Sequence, residues 1–350
     1  MSRTLAVIAA AAAASLLSAC ASARCCERPC AEAAPMPVPT AAAPAAPAAT
    51  PAPQMPAAGT ILDHRTDEAI TFPQLVERLN AVRVVHVGEF HDQPAHHAFQ
   101  AKVLAALAER TDTPLALGLE MFYTPFQPAL DAYVAGEIDE KTMLERTEWA
   151  TRWGFGWEMY APMLRLCREK KLPVIALNAP KEVTRTVSRQ GLDALTPEQK
   201  ASLPPLDMTD GAHRAFVKAA TGGHGHEMKP DAFERMYTAM VIWDETMSSN
   251  VAAWLEKAGP GSRMVVVAGN GHIADRYGVP ARAARKSQAP YATIVQEVRR
   301  GQTERRSDTT YADFTVWWEE SAPPKPPAPA KPAPKPDAKP APDAPKPPAT

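Results

Sequence analysis

The chain has 350 residues, with 38 Lys and Arg against 39 Asp and Glu and a formal charge of −1 at neutral pH. That balance excludes the basic footprint by which proteins grip nucleic acid, so no nucleic-acid partner is expected. The 37 prolines fall mostly at the two ends, and residues 59–320 between them are about the largest span that one hydrophobic core serves.

Residues 1–19 begin Met1-Ser2-Arg3 and continue in an uncharged apolar run from Leu5 to Leu17, the pattern of a secretory signal peptide. The run is short of the ~20 residues that cross a bilayer as a helix. Its ending, Leu17-Ser18-Ala19-Cys20, resembles the lipobox of bacterial lipoproteins. The resemblance implies cleavage before Cys20 and lipidation of that cysteine, with palmitate among the acyl chains. Several chains anchor durably where one does not. Neither Ala21 nor Ser22 is the Asp that holds many such lipoproteins in an inner membrane, so a bacterial outer-membrane address is expected. Cys25, Cys26 and Cys30 follow. Local disulfides are open to them in an exported chain, and their spacing matches no metal knuckle. Residues 20–58, after the lipidated cysteine, are an Ala- and Pro-rich linker, and 321–350 are a Pro-, Lys- and Ala-rich tail. Both lack the apolar side chains of a core and read as disordered, semi-rigid spacers. The tail lysines (Lys325, Lys331, Lys335, Lys339, Lys346) leave contact with a cell wall or a partner open beside the plainer reading of a solvated tail.

In the middle, short apolar runs alternate with helical stretches. Residues 81–87 read as a buried strand, 94–108 as a helix and 115–119 as a second strand. Residues 125–134, 140–145 and 156–170 read as helices and 173–177 as a third strand. A helix starts at Pro180, with proline in its first turn. Residues 231–257 form one long helix, 263–268 a fourth strand, and 291–298 and 313–318 complete the set. Cys167 lies alone in a helical stretch and reads as a buried small hydrophobe. Continuously apolar strands separated by helices predict a single α/β domain, a mostly parallel sheet with helices on both faces.

Ligand sites in such sheets lie beyond the carboxyl ends of the strands, and the polar residues fall there. Gly88-Glu89-Phe90-His91-Asp92, with His96 and His97, follows the first strand. Glu120 follows the second, Asn178 and Lys181 the third, and Gly269-Asn270-Gly271-His272 the fourth. Imidazole with carboxylate suits a divalent metal, for which His91, Glu120 and His272 are the candidate ligands. Without metal, Glu89, His91, Glu120 and His272 suit general acid–base catalysis. His86, inside its strand, reads as core. A second polar group, His224, His226 and Lys229, precedes the long helix, either as a cofactor contact or as an exposed loop. Phe233, Tyr237, Met240 and Val241 share a face of that helix, more often core than cofactor lining. Trp149, Trp153, Trp157, Phe155 and Tyr160, with Arg146 and Arg152 among them, read as a ligand wall, a lid or core.

The segments VVHVGEFHDQPAHH, LGLEMF with FQPAL, RTEWATRWGFGWEMYAP, PVIALNAP, FERMYTAMVIWDETM and VVVAGNGHIADRYGVP together resemble the ChaN-like haem-binding lipoproteins, in order across nearly the whole middle. The resemblance implies a parallel α/β domain and haem binding at the cell envelope in iron acquisition. It also implies a homodimer with haems face to face between protomers, an iron-ligating tyrosine and His and Lys contacts to the propionates. An outer-membrane haem receptor is a further partner it suggests. Phenolate is a hard donor that suits ferric iron. Tyr160 and Tyr237 lie in matching segments and are the expected ligands, with Tyr123 weaker; His224, His226 and Lys229 are the expected propionate contacts. The wider group includes Tiki-type metalloproteases and erythromycin-esterase-like hydrolases. Their Gly-x-x-His, Glu and Gly-x-x-His pattern maps to Gly88 with His91, Glu120, and Gly269 with His272. A metal-dependent or His/Glu hydrolase is therefore the alternative function.

Overall fold

The computed structural model describes residues 55–321 except 110–112, 223–227, 302–304 and 306–309. Cys20, Cys25, Cys26, Cys30, the linker up to residue 54, His224, His226 and the tail from residue 322 lie outside the described residues.

The chain opens with two short strands, β1 (Ile61–Asp63) and β2 (Glu68–Ile70), and helix α1 (Phe72–Leu79). A capping box starts α1: Gln74 N–H donates to Thr71 Oγ1 at 3.4 Å, and Thr71 N–H donates to Gln74 Oε1 at 2.8 Å. Thr71→Ala is expected to cost about 1 kcal/mol, read as a fall of roughly 2–4 °C in a thermal melt. Next come β3 (Val84–Glu89), α2 (Pro94–Ala108), β4 (Leu115–Tyr123), α3 (Gln127–Ala135), α4 (Glu140–Arg146), α5 (Trp149–Arg152) and α6 (Trp157–Lys170). Then follow β5 (Val174–Asn178), α7 (Lys181–Gln190), α8 (Pro197–Ala201) and α9 (Gly211–Gly222). The chain continues with α10 (Pro230–Ala258), β6 (Arg263–Gly269), α11 (Asn270–Ile273), α12 (Val279–Ser287), β7 (Tyr291–Arg299) and β8 (Phe314–Glu319). Among the described residues no helix is long and apolar enough to cross a membrane.

The eight strands form one sheet in the order β2-β1-β8-β7-β3-β6-β4-β5. The six strands from β8 to β5 are parallel; β1 pairs antiparallel with both β2 and β8. Each central strand is apolar on both faces, and its alternate residues feed two cores. Val85, Val87, Val265 and Val267 pack with Leu104, Tyr160 and Leu164 on the face covered by α1, α2, α3 and α6. Val84, Met264 and Val266 pack with Met247, Val251 and Val279 under α10 and α12. His86 is fully buried against Tyr291, and burial holds its imidazole down to about 3, so it is neutral at physiological pH. Cys167 is buried, and burial pushes its thiol up to about 12.

This geometry puts the carboxyl ends of β3, β4 and β6 side by side at the middle of one sheet edge. β3 is flanked by β7 and β6, so the chain crosses over it late.

Candidate functional site

β3 and β6 can deliver their side chains to one point because Gly88 has none. A Cβ on Gly88 would stand 2.1 Å from Asn270 Oδ1. Asn270 Nδ2 donates to the Gln296 carbonyl at 2.7 Å, which holds the turn that carries His272. On the other side of that turn a Cβ on Gly278 would meet the His272 carbonyl at 2.4 Å.

Two histidine–carboxylate pairs face each other here. Glu89, 1% exposed, accepts from His91 Nδ1 at 2.6 Å, Tyr160 Oη at 3.1 Å and Gln100 Nε2 at 2.8 Å, and His97 Nδ1 stands 3.3 Å away. Burial alone raises a carboxyl, but His97, His91 and Gln100 outweigh it and hold Glu89 below the usual range. Glu89 is thus a fixed anion that orients His91, not a proton carrier. Burial of His91 is likewise outweighed, by Glu89 and Glu120, so its imidazole is raised above 6.5. In the second pair His272 Nδ1 donates to Asp244 Oδ1 at 2.7 Å. Burial opposes the charge, yet Glu120 and Asp244 hold His272 up to about 9.

Glu120 lies between the pairs. Its Oε2 accepts the Gly269 N–H at 2.7 Å, its Oε1 is 3.6 Å from His272 Nε2, and the His91 ring packs against Gly269 within reach of the same carboxylate. Asn178 Nδ2 donates to the Glu120 carbonyl at 3.0 Å, while Lys181 turns away to the Arg152 carbonyl at 2.8 Å. Among the described residues no three His, Cys, Asp or Glu side chains are placed to hold a metal ion. The expected metal set of His91, Glu120 and His272 converges at the strand ends without forming such a group. Each imidazole gives Nδ1 to a carboxylate, which leaves Nε2 as its open nitrogen, and Glu120 gives one oxygen to a backbone amide.

The aromatic patch divides. Trp149 is core, packing on Phe122, Trp157 and Tyr160 at 5.2 Å. Trp153 and Phe155 instead stand over His91, with ring centroids at 4.9 and 5.2 Å.

Neither expected iron-ligating tyrosine is at a surface. Tyr160 and Tyr237 are both 0% exposed. The Tyr160 hydroxyl donates to Glu89 and accepts from Trp153 Nε1 at 3.1 Å. Burial and then Glu89 push that phenol far up, so the phenolate a ferric ion would need is disfavoured. The Tyr237 hydroxyl lies 3.3 Å from the Asp210 carbonyl and 3.4 Å from His213 Nδ1, and burial raises it as well. Tyr123 is 7% exposed and raised to about 12, by burial and then by Glu120.

Tyr237 leads to residues that the sequence did not single out. His213 accepts at Nδ1 from Arg282 Nη2 at 3.1 Å, so its Nε2 bears the hydrogen, and Nε2 faces Asp244 Oδ2 at 3.1 Å. Tyr237, His213, Asp244 and His272 thus form a buried polar chain from the strand ends to the first turns of α10. The available signal was Asp244 itself, an acid on an otherwise apolar helix face with Tyr237, Val241 and Val251.

Above Tyr237 lies a cleft of about 600 Å³ between α9 and the start of α10. Arg214, Lys218 and Thr221 line it from one face of α9, and Met228, Lys229 and Phe233 line it from α10 and the residues before it. Lys229, expected at a propionate, is exposed here.

Residues 75–283 match a family model described as haem-binding uptake, Tiki superfamily, ChaN. The chain belongs to this family. A solved structure of the family, described as cofacial haem binding to ChaN of Campylobacter jejuni, superposes with a TM-score of 0.60 at 17% identity, over 75% of this chain and 97% of that one. It shares the fold. A variant erythromycin esterase gives a TM-score of 0.42 at 13% identity, over 69% and 76% of the two chains. Among curated proteins, the chloroplastic RETICULATA-RELATED 5 of Arabidopsis thaliana is 25% identical over 269 residues, which is 71% of this chain and 35% of that relative. The chain thus spans about a third of that plant protein's length.

Proposed function

We propose that the protein is a lipid-anchored haem binder of the bacterial cell envelope that serves iron acquisition. Cys20 carries the anchor at the outer membrane, residues 20–58 space the domain from it, and haem is held between two protomers. An outer-membrane haem receptor is the partner that such a carrier would load or relieve. Family membership supports haem as the ligand, and one observation carries the site: the cleft between α9 and α10. Its volume falls in the range of about 300–1,000 Å³ usual for small-ligand pockets, and it combines apolar Met228 and Phe233 with cationic Arg214, Lys218 and Lys229. Those cations suit propionates and the apolar side chains suit the macrocycle. Haem, when bound, would supply the iron that is the cargo. Titrating the purified protein with hemin is expected to give a saturable shift of the Soret band and, by sedimentation, a haem-dependent dimer. A linear, unsaturable titration would overturn the reading.

The strand-end residues favour a second reading, hydrolysis at a His/Glu centre. The observation behind it is the pair of imidazoles, each fixed by a buried carboxylate, on either side of Glu120. No Ser, Thr or Cys side chain bonds to His91 or His272 among the described contacts, so water is the nucleophile the geometry suits. Glu120 would take its proton, and the cationic His272, beside His91, would face the negative charge that forms on the substrate. A screen of carboxylic esters and amides is expected to yield a substrate whose turnover drops about 10²–10⁴-fold in Glu120→Gln. Equal turnover in that variant would remove Glu120 from the chemistry.

A further inference from the structure

We propose that residues 322–329, the start of the Pro-rich tail, dock as a polyproline helix in a groove along α2 of the same molecule. The groove has a volume of about 450 Å³ and shares no lining residue with the α9–α10 cleft. This docking is independent of what that cleft or the strand-end cluster binds.

The groove surface is the first ground. Phe72 from the first turn of α1, Phe99 from α2 and Trp318 from β8 stand in a row. The Phe99 centroid is 6.0 Å from Phe72 and 5.8 Å from Trp318, with the planes at 81° and 64°. Ala95 and Ala98 keep the α2 wall low beside these rings. Trp318 Nε1 already donates to Gln296 Oε1 at 3.0 Å, so the indole offers its ring and not its donor. Among the described lining residues the one cation is Lys102, exposed and 4.0 Å over the Phe72 ring. It pairs with no carboxylate among the described residues. The lining side chains include no carboxylate or amide, and the Thr71 hydroxyl is engaged by Gln74. The groove therefore offers aromatic surface and an ammonium donor, with no free side-chain acceptor. An ordinary extended peptide brings an N–H at every residue. A run of prolines brings carbonyls alone, already unpaired in the polyproline conformation.

Where the tail leaves the domain is the second ground. β8 ends at Glu319, the residue after Trp318. Ser321 is then held at the head of α2: its N–H and Oγ both donate to Gln93 Oε1, at 3.4 and 2.9 Å. Gln93 is two residues before Ala95, so the tail departs at one end of the groove. Ala95 to Lys102 is about 10 Å along the helix axis at about 1.5 Å per residue. A polyproline helix covers that in about four residues at about 3.1 Å each, so residues 322–329 suffice.

The tail sequence is the third ground. It runs Ala322-Pro323-Pro324-Lys325-Pro326-Pro327-Ala328-Pro329. With three residues per turn, Pro323, Pro326 and Pro329 share one edge and Pro324 and Pro327 the next. Ala322, Lys325 and Ala328 fall on the third edge. Two proline edges can thus rest on the rings while Lys325 points to water, away from Lys102. Aromatic-lined grooves take such segments because little entropy is lost on binding. The other Pro-rich segment, residues 20–58, contains no two adjacent prolines and matches two edges less fully.

The test follows acetylation of Lys102 in the full chain by mass spectrometry, with Lys141, 82% exposed, as the internal standard. The comparison is a variant combining Pro323→Ser, Pro324→Ser, Pro326→Ser and Pro327→Ser, all outside the folded domain. At an effective concentration of about 1 mM, a tethered segment with a dissociation constant of about 0.1 mM fills its groove about nine-tenths of the time. Lys102 should therefore react about tenfold faster in the variant, with Lys141 unchanged. A free peptide of residues 321–331 should restore the protection. Ala98→Gln, at an exposed helix position, should weaken that peptide about tenfold by crowding the groove. Equal Lys102 rates in the chain and the variant would overturn the proposal. Protection that fades on dilution would assign the groove to the tail of a second copy, and protection lost only in Pro51→Ser with Pro53→Ser would assign it to the linker. Either result overturns docking by the molecule's own tail.

Discussion

Asp244→Ala is expected to destabilise the protein by roughly 3–5 kcal/mol, the cost of removing one partner from a buried charged set. Asp244 is 0% exposed and serves two imidazoles, His272 Nδ1 at 2.7 Å and His213 Nε2 at 3.1 Å. Burial of its carboxylate is unfavourable, and His272 and His213 more than offset it, so Asp244 stays ionised well below the usual carboxylate range. Without it, His272 keeps Glu120 at 3.6 Å, but the His213 ring is left with Arg282 and a tyrosine hydroxyl and with no carboxylate partner among the described residues. Whole domains are stable by about 5–15 kcal/mol, so this one side chain is a large share. Urea unfolding followed by tryptophan fluorescence measures it. A loss below about 1 kcal/mol would mean that the chain from Tyr237 to His272 is not the tight unit described above.

Stability is also expected to fall as pH rises from about 6.5 to 9. His272 has a folded-state value of about 9 against an ordinary 6.5. A group raised by folding contributes stability that is complete below its unfolded value and is lost as pH climbs through its folded value. The loss at full extent is on the order of 3 kcal/mol. His91 is raised too and acts in the same direction. His86 and His96, both lowered to about 3, titrate in the unfolded chain near 6.5 and so act below this window, in the opposite sense. Cys167 adds its own loss only above about pH 9. Urea midpoints at pH 6.5, 7.5 and 8.5 should therefore decline steadily. A flat series would place His272 neutral in the fold. In Asp244→Ala the decline should be shallower, because one of the two carboxylates that hold the proton is gone.

Much of this architecture was legible in the sequence. The strands β4, β5 and β6, and β3 apart from His86, are apolar runs ended by a glycine or a polar residue, and such runs admit few alternatives; β7 and β8 carry polar residues inside (Gln296 and Glu297, Thr315) but keep enough β-branched and aromatic side chains to be read. Helix α2 was read to its observed ends because Pro94 marks its start. β4 runs on to Tyr123, past its predicted end, since Met121 and Phe122 remain buried beyond Glu120. The strands β1 and β2 were not read because three residues carry no detectable period. Helices α9 and α12 escaped because their apolar positions are sparse: α9 opens on Gly211, and α12 buries an arginine, Arg282, against Glu245.

At the site, four residues converge as strand ends should, namely Glu89, His91, Glu120 and His272. What they do individually was not legible. Glu89 has the look of a proton carrier and proves to be saturated by neighbours from α2 and α6. Tyr160 fits an iron ligand by segment and is one of those neighbours. His213 gave no signal, and Asp244 only that of an acid on an apolar helix face; they reach the strand ends from α9 and α10, so only the folded geometry relates them to His272.

The order of the strands has a kinetic consequence. β3 forms early in the chain, yet Val84 finds its partners at Met264 on one side and Tyr291 on the other. Closing the middle of the sheet therefore waits until nearly the whole domain is available, and rates fall as such distant pairings dominate. A chain threaded N-terminus first, whether from a ribosome or through a membrane pore, would carry β3 unpaired for almost two hundred residues. During that interval its exposed edges would need shielding from other chains. The same arrangement means that no fragment ending before β6 can bring Glu89, Glu120 and His272 together.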